Sequence, residues 1–329
     1  MRLSILVVSR TPSLLNQMLA SVAKACSLEY AEIEILCSWN GATEAEQAIS
    51  NTSGYEFLIA QRDPYHFASN LNGLAERANG ELLLLINDDV FLDAGSIDAA
   101  INCLENEPKA GLVGGRLRNH QGQLTHAGIL FNSRNSPYHR LDQMVPADAT
   151  AVMGSNRIMP AVTGALMLIR RQHFLKLRLN ENYKVCGEDL EICLDLRQHH
   201  ELEVWYCPAA SGIHEAETSR QQENNQEGNS EDQCLMRKRR REFIEQAKNV
   251  QLIHEILAYS LEAETLQHIM NSRLKEFDNL QDELKDELKH LQDELKHLQD
   301  QNHSLQLTRL GQQQKLSKLQ KELTNSKPG

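Results

Sequence analysis

The stretch LLLLINDDV, residues 82–90, joins five apolar residues to the segment NDDV, whose first three residues are polar. A short, fully apolar run is typical of a strand that is buried on both faces, as the strands of a parallel sheet are. Similar runs alternate with helical patterns over the first part of the chain. The expected strands are 3–8, 33–37, 57–60 and 82–86, and the expected helices are 13–25, 43–50 and 70–79. This alternation predicts βαβ crossovers and an α/β fold with a mostly parallel sheet.

The composition of the 329-residue chain changes sharply along its length. Thirteen of the 16 aromatic residues and 14 of the 17 glycines precede residue 216, and no proline lies between Pro208 and Pro328. Aromatic side chains fill cores and glycines make turns, whereas a polar, proline-free stretch rich in Leu, Glu, Lys and Gln favours helix. We therefore expect a globular domain at 1–215, a flexible polar loop at 216–235, a helical connector at 236–269 and a coiled coil at 270–324.

The coiled-coil prediction depends on the spacing of leucines. They recur at alternating intervals of four and three residues from Leu284 to Leu305, and Asn302 occupies one apolar position. A 3.5-residue apolar repeat makes a helix supercoil around a partner helix. Asparagine at such a position favours two strands, so we expect a parallel homodimer. The alternative is a single amphipathic helix that packs on the globular domain.

Charge, apolar runs and cysteines exclude several classes of protein. The longest apolar runs are far shorter than the roughly 20 residues that span a bilayer. A net charge of −11 argues against general nucleic-acid binding, which needs basic side chains to neutralise phosphates. The seven cysteines are scattered and odd in number, which indicates reduced core residues and a cytoplasmic protein.

Three polar clusters follow apolar segments. The aspartates of NDDV at a buried strand end are costly unless they bind a cation, although they could also cap a turn. Glu188 and Asp189 open an amphipathic helix, where they could cap that helix or supply a general base. His214 ends the short strand-like stretch WYCPAASGIH and could be either a surface histidine or a ligand.

The order of these segments resembles the family 2 glycosyltransferases of the GT-A fold. The resemblance covers about residues 1–215 and does not extend to the coiled coil. It implies a Rossmann-like, nucleotide-sugar-binding sheet. The matching segments, in chain order, are VSRTPSLL, WNGATE, FASNLNGLAERANGE, the strand with NDDV, LTHAGILF, VTGALMLIRR, the Gly-Glu-Asp helix and the final PxxxGIH.

The resemblance implies roles for the polar residues. Asp88 and Asp89 match the family's "DxD" acids, of which the first contacts the ribose and the second coordinates Mn²⁺ or Mg²⁺. His214 matches the histidine that completes the metal site. Asp189 matches the catalytic base, with Glu188 as its catalytic neighbour.

The resemblance also implies contacts with the nucleotide sugar. Ser9 and Thr11 follow the first strand, Asn72 lies in a supporting helix, and Gly164 leaves room for the sugar and the acceptor. The family commonly has Asp-Asn-Gly-Ser after the second strand, and this chain has Trp39 in place of that aspartate. Trp39 could stack on the base instead.

Two further segments have open interpretations. The polar stretch 215–234 could close over the bound donor as a lid, or it could be an inert linker. The basic run RKRRR at 237–241 could contact anionic lipid or a lipid-linked diphosphate, or it could be a solvated helix start.

The sequence therefore predicts a metal-dependent, inverting glycosyltransferase. Its donor would be a nucleotide-diphosphate sugar, its acceptor a glycan or a lipid-linked molecule, and its product a surface glycan or polysaccharide. It would be cytoplasmic, with a peripheral position at the inner face of the membrane through 237–241. A coiled-coil scaffold that keeps the fold without activity is the alternative. A nucleotidyltransferase is disfavoured because VSRTPSLL lacks a glycine-rich phosphate loop.

Overall fold

The computed structural model describes residues 1–214 and 229–325, with side chains up to residue 321. The chain divides into two compact units, Met1–Ala263 and Glu264–Gly329. The strands are β1 Leu3–Ser9, β2 Ile33–Trp39, β3 Glu56–Gln61, β4 Leu82–Asn87, β5 Val90–Leu92, β6 Ala110–Arg118, β7 Leu124–His126, β8 Ile129–Phe131, β9 Pro137–His139, β10 Arg157–Ile158, β11 Leu166–Arg170 and β12 Glu203–His214. The α-helices are α1 Pro12–Ala25, α2 Phe67–Arg77, α3 Ser96–Asn106, α4 Thr150–Met153, α5 Arg171–Leu177, α6 Glu188–His200, α7 Asn229–Gln246 and α8 Asn249–Asn325.

The first unit is built on one mixed sheet, with strand order β10-β12-β6-β11-β4-β1-β2-β3. β4, β1, β2 and β3 are parallel to one another, as the sequence predicts. β11 runs antiparallel between β4 and β6, and β5 pairs antiparallel with the end of β12. The α/β class is confirmed, and the antiparallel strands bring later parts of the chain to the end of β4.

The apolar run of β4 packs on both faces of the sheet. Leu82, Leu84 and Ile86 join a buried cluster with α1 and α3, whereas Leu83 and Leu85 join a second cluster with α2 and α6. Successive side chains of a strand point to opposite faces, so a continuous apolar run satisfies two cores at once. The helix expected at 43–50 is instead a 3₁₀ helix, Thr43–Ala48.

The first unit extends well beyond residue 215. Helix α7 begins at Asn229, within the loop expected at 216–235, and its Met236 and Phe243 are buried in the second cluster. The start of α8 also belongs to this unit, which ends at Ala263. The structure thus differs from the division expected from composition, because a helix whose average composition is polar still buries one apolar stripe. Residues 215–228, where most of the lid hypothesis falls, lie outside the described residues.

Helices α6, α7 and α8 are joined by a buried ion cluster. Glu255 accepts hydrogen bonds from Arg197 at 2.6 Å and from Arg240 at 2.5 Å, and all three side chains are at most 5% exposed. The two guanidinium groups also lie over the ring of Phe243. Burial opposes ionisation of Glu255, but the charges of Arg197 and Arg240 outweigh it and lower its pKa.

We expect Glu255→Gln to destabilise the first unit by about 3–5 kcal/mol, because it leaves two buried guanidinium groups without a counter-charge. Urea unfolding followed by circular dichroism measures this change. Glu245→Gln is the matched control, since Glu245 is exposed on α7, and it should change stability by no more than about 0.5 kcal/mol. Equal unfolding midpoints for the two variants would contradict the structural role of the cluster.

Helix α8 presents a row of exposed apolar side chains in the second unit. Its leucines at the predicted heptad positions include Leu284, Leu288, Leu291, Leu295 and Leu298, each exposed by more than half. Exposed leucines in this repeat leave apolar surface in water, which association with another helix would remove. Over the residues described, no helix combines the length and the apolar character needed to cross a bilayer.

Candidate active site

The end of β4 and the end of β12 meet through strand pairing. Asp88 and Asp89 form the turn between β4 and β5, and β5 pairs antiparallel with β12 so that Val90 lies opposite His214. This register brings His214 beside Asp89, although 125 residues separate them in the chain. The side chains form a pair in which His214 Nε2 lies 3.3 Å from Asp89 Oδ1.

The Asp89–His214 pair has the chemistry of a cation site. Asp89 Oδ1 is buried and accepts no hydrogen bond from any residue that the structure describes, and the His214 side chain is only 13% exposed. A carboxylate oxygen and an imidazole nitrogen are both metal ligands, and a buried carboxylate needs a positive partner. The residues therefore fit a divalent cation. Within the described ranges no cluster of three or more His, Cys, Asp or Glu side chains suits a metal.

Asp88 is held by the loop after the first strand. Ser9 Oγ donates to Asp88 Oδ2 at 2.6 Å, and the backbone N–H of Thr11 donates to Ser9 Oγ at 3.3 Å. Burial raises the pKa of Asp88 to about 6, and the charge of Asp89 adds to this, whereas the hydrogen bond from Ser9 opposes it. Ser9, Thr11 and the two aspartates thus form one connected group at the ends of β1 and β4.

Glu188 and Asp189 form the first turn of α6. Gly187 precedes them with a φ of +122°, and a Cβ there would lie 2.6 Å from the ring of Tyr183. Only glycine adopts this conformation without strain, which accounts for the Gly-Glu-Asp order. Glu188 is buried, and Asp189 Oδ1 accepts a hydrogen bond from the backbone N–H of Leu190 at 2.9 Å.

Gly164 links Asp189 to the same edge of the sheet. Its backbone N–H donates to Asp189 Oδ2 at 2.8 Å, and a Cβ at this position would lie 3.0 Å from the Asp189 Cβ. The next residue, Ala165, accepts a hydrogen bond from the backbone N–H of Asn87 at the end of β4. Asp189 is therefore one backbone link away from the strand that carries Asp88 and Asp89.

Two of the expected nucleotide contacts are used inside the fold. Trp39 is 1% exposed, packs in the first buried cluster and donates from Nε1 to the carbonyl of Ala42. A base cannot stack on a ring whose faces are covered, so this placement does not support the stacking hypothesis. The Asn72 amide is bonded to the backbone of Leu179 and to Glu181, and it connects α2 to the loop before α6.

His126 lies close to this site and was not among the expected residues. Its Nε2 accepts from the backbone N–H of Gly128 at 3.3 Å and lies 3.5 Å from the backbone nitrogen of Thr163. Its Nδ1 therefore carries the proton and donates to Nδ1 of His139 at 3.0 Å. Burial, with His139 and His214 nearby, keeps the pKa of His126 well below its ordinary value. The only sequence signal was its place in LTHAGILF.

The basic run 237–241 is largely used in contacts within the fold. Arg240 pairs with the buried Glu255, Arg239 pairs with Asp195 of α6 at 2.5 Å, and Arg237 donates to Ser136. Lys238 and Arg241 remain exposed. The hypothesis that this run contacts a membrane therefore depends on these two side chains.

The chain thus places two adjacent acids at the end of β4 and a Gly-Glu-Asp helix start at the same edge of a mixed α/β sheet. The model of the glycosyltransferase-like family 2 matches residues 2–242, and this chain belongs to that family. Residues 2–242 are thus a glycosyltransferase-like domain, and its fold is GT-A. The match extends past residue 215 and takes in most of α7.

Two curated relatives share part of the sequence. The O-antigen biosynthesis protein RfbC of Myxococcus xanthus is 29% identical over 138 residues, which is 40% of this chain and 11% of that protein. The uncharacterized protein y4gI of Sinorhizobium fredii is 26% identical over 208 residues, which is 60% of this chain and 23% of that protein. The matched part of this chain thus spans less than a quarter of the length of either relative.

Solved structures of glycosyltransferases are also similar. One is the mannosyltransferase PcManGT from Pyrobaculum calidifontis in complex with GDP-Man and Mn²⁺, with a TM-score of 0.47 and 13% identity over 66% of this chain and 57% of that chain. Another is GalNAc-T7 with UDP, GalNAc and Mn²⁺, with a TM-score of 0.49 and 15% identity over 65% of this chain and 43% of that chain.

Proposed function

We propose that this glycosyltransferase transfers a sugar from a nucleotide diphosphate to an acceptor hydroxyl with inversion at the anomeric carbon. A divalent cation, Mn²⁺ or Mg²⁺, would be held by Asp89 and His214, and Asp189 would be the general base. The observation that carries the proposal is the convergence of these elements on one edge of the sheet. The links are the His214–Asp89 pair, the Asn87–Ala165 bond and the Gly164–Asp189 bond.

The leaving group and the attacking group make separate demands on the site. A bound cation would act as a Lewis acid on the departing diphosphate. Asp89 and His214 leave most coordination positions to other ligands, and diphosphate oxygens suit Mn²⁺ and Mg²⁺. The hydrogen-bonded group next to this pair would contact the nucleoside end of the donor. It consists of Asp88, Ser9 and Thr11.

The acceptor hydroxyl must lose its proton as it attacks, which calls for a base on the far side of the sugar ring from the leaving group. The Asp189 carboxylate is oriented by the backbone N–H groups of Gly164 and Leu190. A fixed carboxylate loses little entropy when the acceptor binds. Glu188, its buried neighbour, would support the acceptor side of the site.

The donor assay is the direct test. We expect the purified chain with Mn²⁺ to release nucleoside diphosphate from one or a few members of a panel of sugar nucleotides, and to do so faster when an acceptor is present. Proton NMR of the product reports the anomeric configuration. Retention of configuration would contradict the inverting mechanism, and no release from any donor would contradict the proposed reaction.

The acceptor is proposed to be a growing glycan or a lipid-linked precursor of one. The support is the similarity to a protein named for O-antigen biosynthesis, and this similarity covers less than half of this chain.

We propose a cytoplasmic location on the basis of the scattered, odd-numbered cysteines of the chain. A peripheral contact with anionic lipid through Lys238 and Arg241 is tested by vesicle flotation with Lys238→Gln/Arg241→Gln as the comparison.

We also propose that the second unit forms a parallel two-stranded coiled coil between two copies of this chain. Support comes from the heptad spacing, the exposed leucines and Asn302 at an interior position. With Leu288 and Leu295 at the a positions of the heptad repeat, the flanking e and g positions are mainly glutamate and glutamine. They include Glu287, Gln292, Glu294 and Gln299. A parallel partner would therefore place glutamates next to neutral glutamines, which introduces no like-charge pair there.

We expect Leu288→Lys/Leu295→Lys to convert the dimer to a monomer in native mass spectrometry, because each dimer would otherwise bury four ammonium groups in an apolar seam. His290→Lys/His297→Lys is the matched control, since it adds charge on the outer face of the same segment and should leave the dimer intact. A wild-type monomer at micromolar concentration would refute the dimer.

A further inference from the structure

One buried carboxylate holds the loop that leads into the base-bearing helix. Asp232, on α7, is 2% exposed. Its two oxygens accept hydrogen bonds from three successive backbone N–H groups, those of Lys184 at 3.1 Å, Val185 at 2.6 Å and Cys186 at 3.1 Å. Three donors on one carboxylate form a compact anion nest, so the backbone of 184–186 is held at one place relative to α7.

The held loop ends where the candidate catalytic carboxylates begin. Cys186 is followed directly by Gly187, Glu188 and Asp189. The positive φ of Gly187 makes a sharp turn between the loop and α6. A displacement of the loop would therefore rotate or translate the first turn of α6, and Asp189 would move away from Gly164.

Helix α7, which carries Asp232, is joined to α6 by ion pairs. Arg239 of α7 pairs with Asp195 of α6, and Arg240 of α7 shares Glu255 with Arg197 of α6. Helix α7 thus contacts α6 along its length and, through Asp232, also fixes the residues that precede it. The hydrogen bonds between Asp232 and the loop span 46–48 residues of sequence.

We propose that Asp232 is a positioning residue for Asp189. Helix α7 would then act on catalysis through the loop that precedes α6. This inference rests on the proposed function, in which Asp189 is the base. Asp232 would not touch substrate. It would fix the position of the first turn of α6 so that the Asp189 carboxylate lies within hydrogen-bonding distance of the acceptor hydroxyl. A displacement of about 1 Å in such a group lowers the rate by about 10²-fold.

The test compares Asp232→Asn with Glu231→Gln in the full-length chain. Asparagine keeps the size of the side chain but removes its charge and one acceptor oxygen. Glu231 is the adjacent acid, and its exposed carboxylate contacts only the Lys184 side chain among the contacts described. It therefore controls for loss of a negative charge at the same place. Hydrogen–deuterium exchange reports the loop amides without any need for activity, and steady-state kinetics separate kcat from the donor KM.

We expect Asp232→Asn to speed exchange at 184–186 by about tenfold or more and to lower kcat by about 10–100-fold, with the donor KM within twofold of wild type. Glu231→Gln should match wild type in all three. Should the asparagine variant fold poorly, Asp232→Glu makes the same test, because it keeps the charge and displaces the carboxylate by one methylene.

Unchanged exchange at 184–186 in Asp232→Asn would overturn the claim that Asp232 fixes this loop. Faster exchange with unchanged kcat in this variant would overturn the positioning role. A decrease in kcat accompanied by a comparable increase in the donor KM would overturn it as well. A wild-type protein that transfers sugar from no donor would overturn the proposed function, and the positioning role with it. The exchange result is read separately from activity, so failure of the contact and failure of the function are distinguished.

Discussion

Asp189→Asn is expected to lower kcat by about 10²–10⁴-fold, the usual contribution of a general base. Asparagine has the shape of aspartate, and its one oxygen can still accept the N–H of Gly164 while the bond from the N–H of Leu190 is lost. The first turn of α6 should therefore keep its link to Gly164. It cannot take a proton from the acceptor hydroxyl at neutral pH. The affinity for nucleoside diphosphate should stay within about twofold of wild type, as measured by calorimetry.

The control for this variant is Asp148→Asn, which makes the same chemical change at an exposed position and should leave kcat unchanged. Glu188→Gln, measured beside it, separates the two carboxylates of the Gly-Glu-Asp turn. If Asp189→Asn retained most of the wild-type rate, Asp189 would not be the base. A loss confined to Glu188→Gln would assign that role to Glu188.

Asp89→Asn is expected to lower kcat/KM by about 10²-fold and to raise the Mn²⁺ concentration needed for half-maximal activity. The physical reason is that an amide oxygen lacks the charge that makes a buried carboxylate a strong ligand for a hard cation. Calorimetric titration of Mn²⁺ in the presence of nucleoside diphosphate checks the same change by binding, with no catalytic step involved.

His214→Gln provides the second arm, because it removes the other side chain of the pair and leaves Asp89 in place. It should weaken Mn²⁺ binding in the same direction as Asp89→Asn. Combined in one chain, the two changes should cost less than the sum of their separate effects, since both remove parts of one site. Wild-type Mn²⁺ dependence in Asp89→Asn would contradict the cation site.

The core strands were predictable because their signal is local. The runs predicted at 3–8, 33–37, 57–60 and 82–86 correspond to β1 through β4 with shifts of a few residues at the ends. Strands β1, β2 and β4 are buried on both faces, so most of their side chains are apolar, and that pattern is visible without any knowledge of the neighbouring strands. The helical nature of the tail was predictable for the same reason, since proline-free helical composition is also local.

The sequence predicted the carboxylates of the candidate site, but it gave little indication of the residues that hold them in place. Asp88, Asp89, Asp189 and His214 stood out because charged or imidazole side chains directly follow apolar segments. Trp39 was misleading, since an aromatic side chain in a loop motif gives no sign of whether its ring is covered. Asp232 lay in a polar stretch that composition assigned to a loop, and its three partners are backbone N–H groups, which every residue except proline has.

The amino-acid sequence by itself determined the four parallel strands β1 to β4, the helical tail with its 3.5-residue repeat, and the acids at the ends of apolar segments. Periodicity and the order of residues along the chain are enough for these features. Only the tertiary structure decided that His214 faces Asp89, that Gly164 holds Asp189 and that α7 joins the first unit. Those outcomes depend on the register of antiparallel strands and on contacts between residues far apart in the chain, which arise when two cores pack on one sheet.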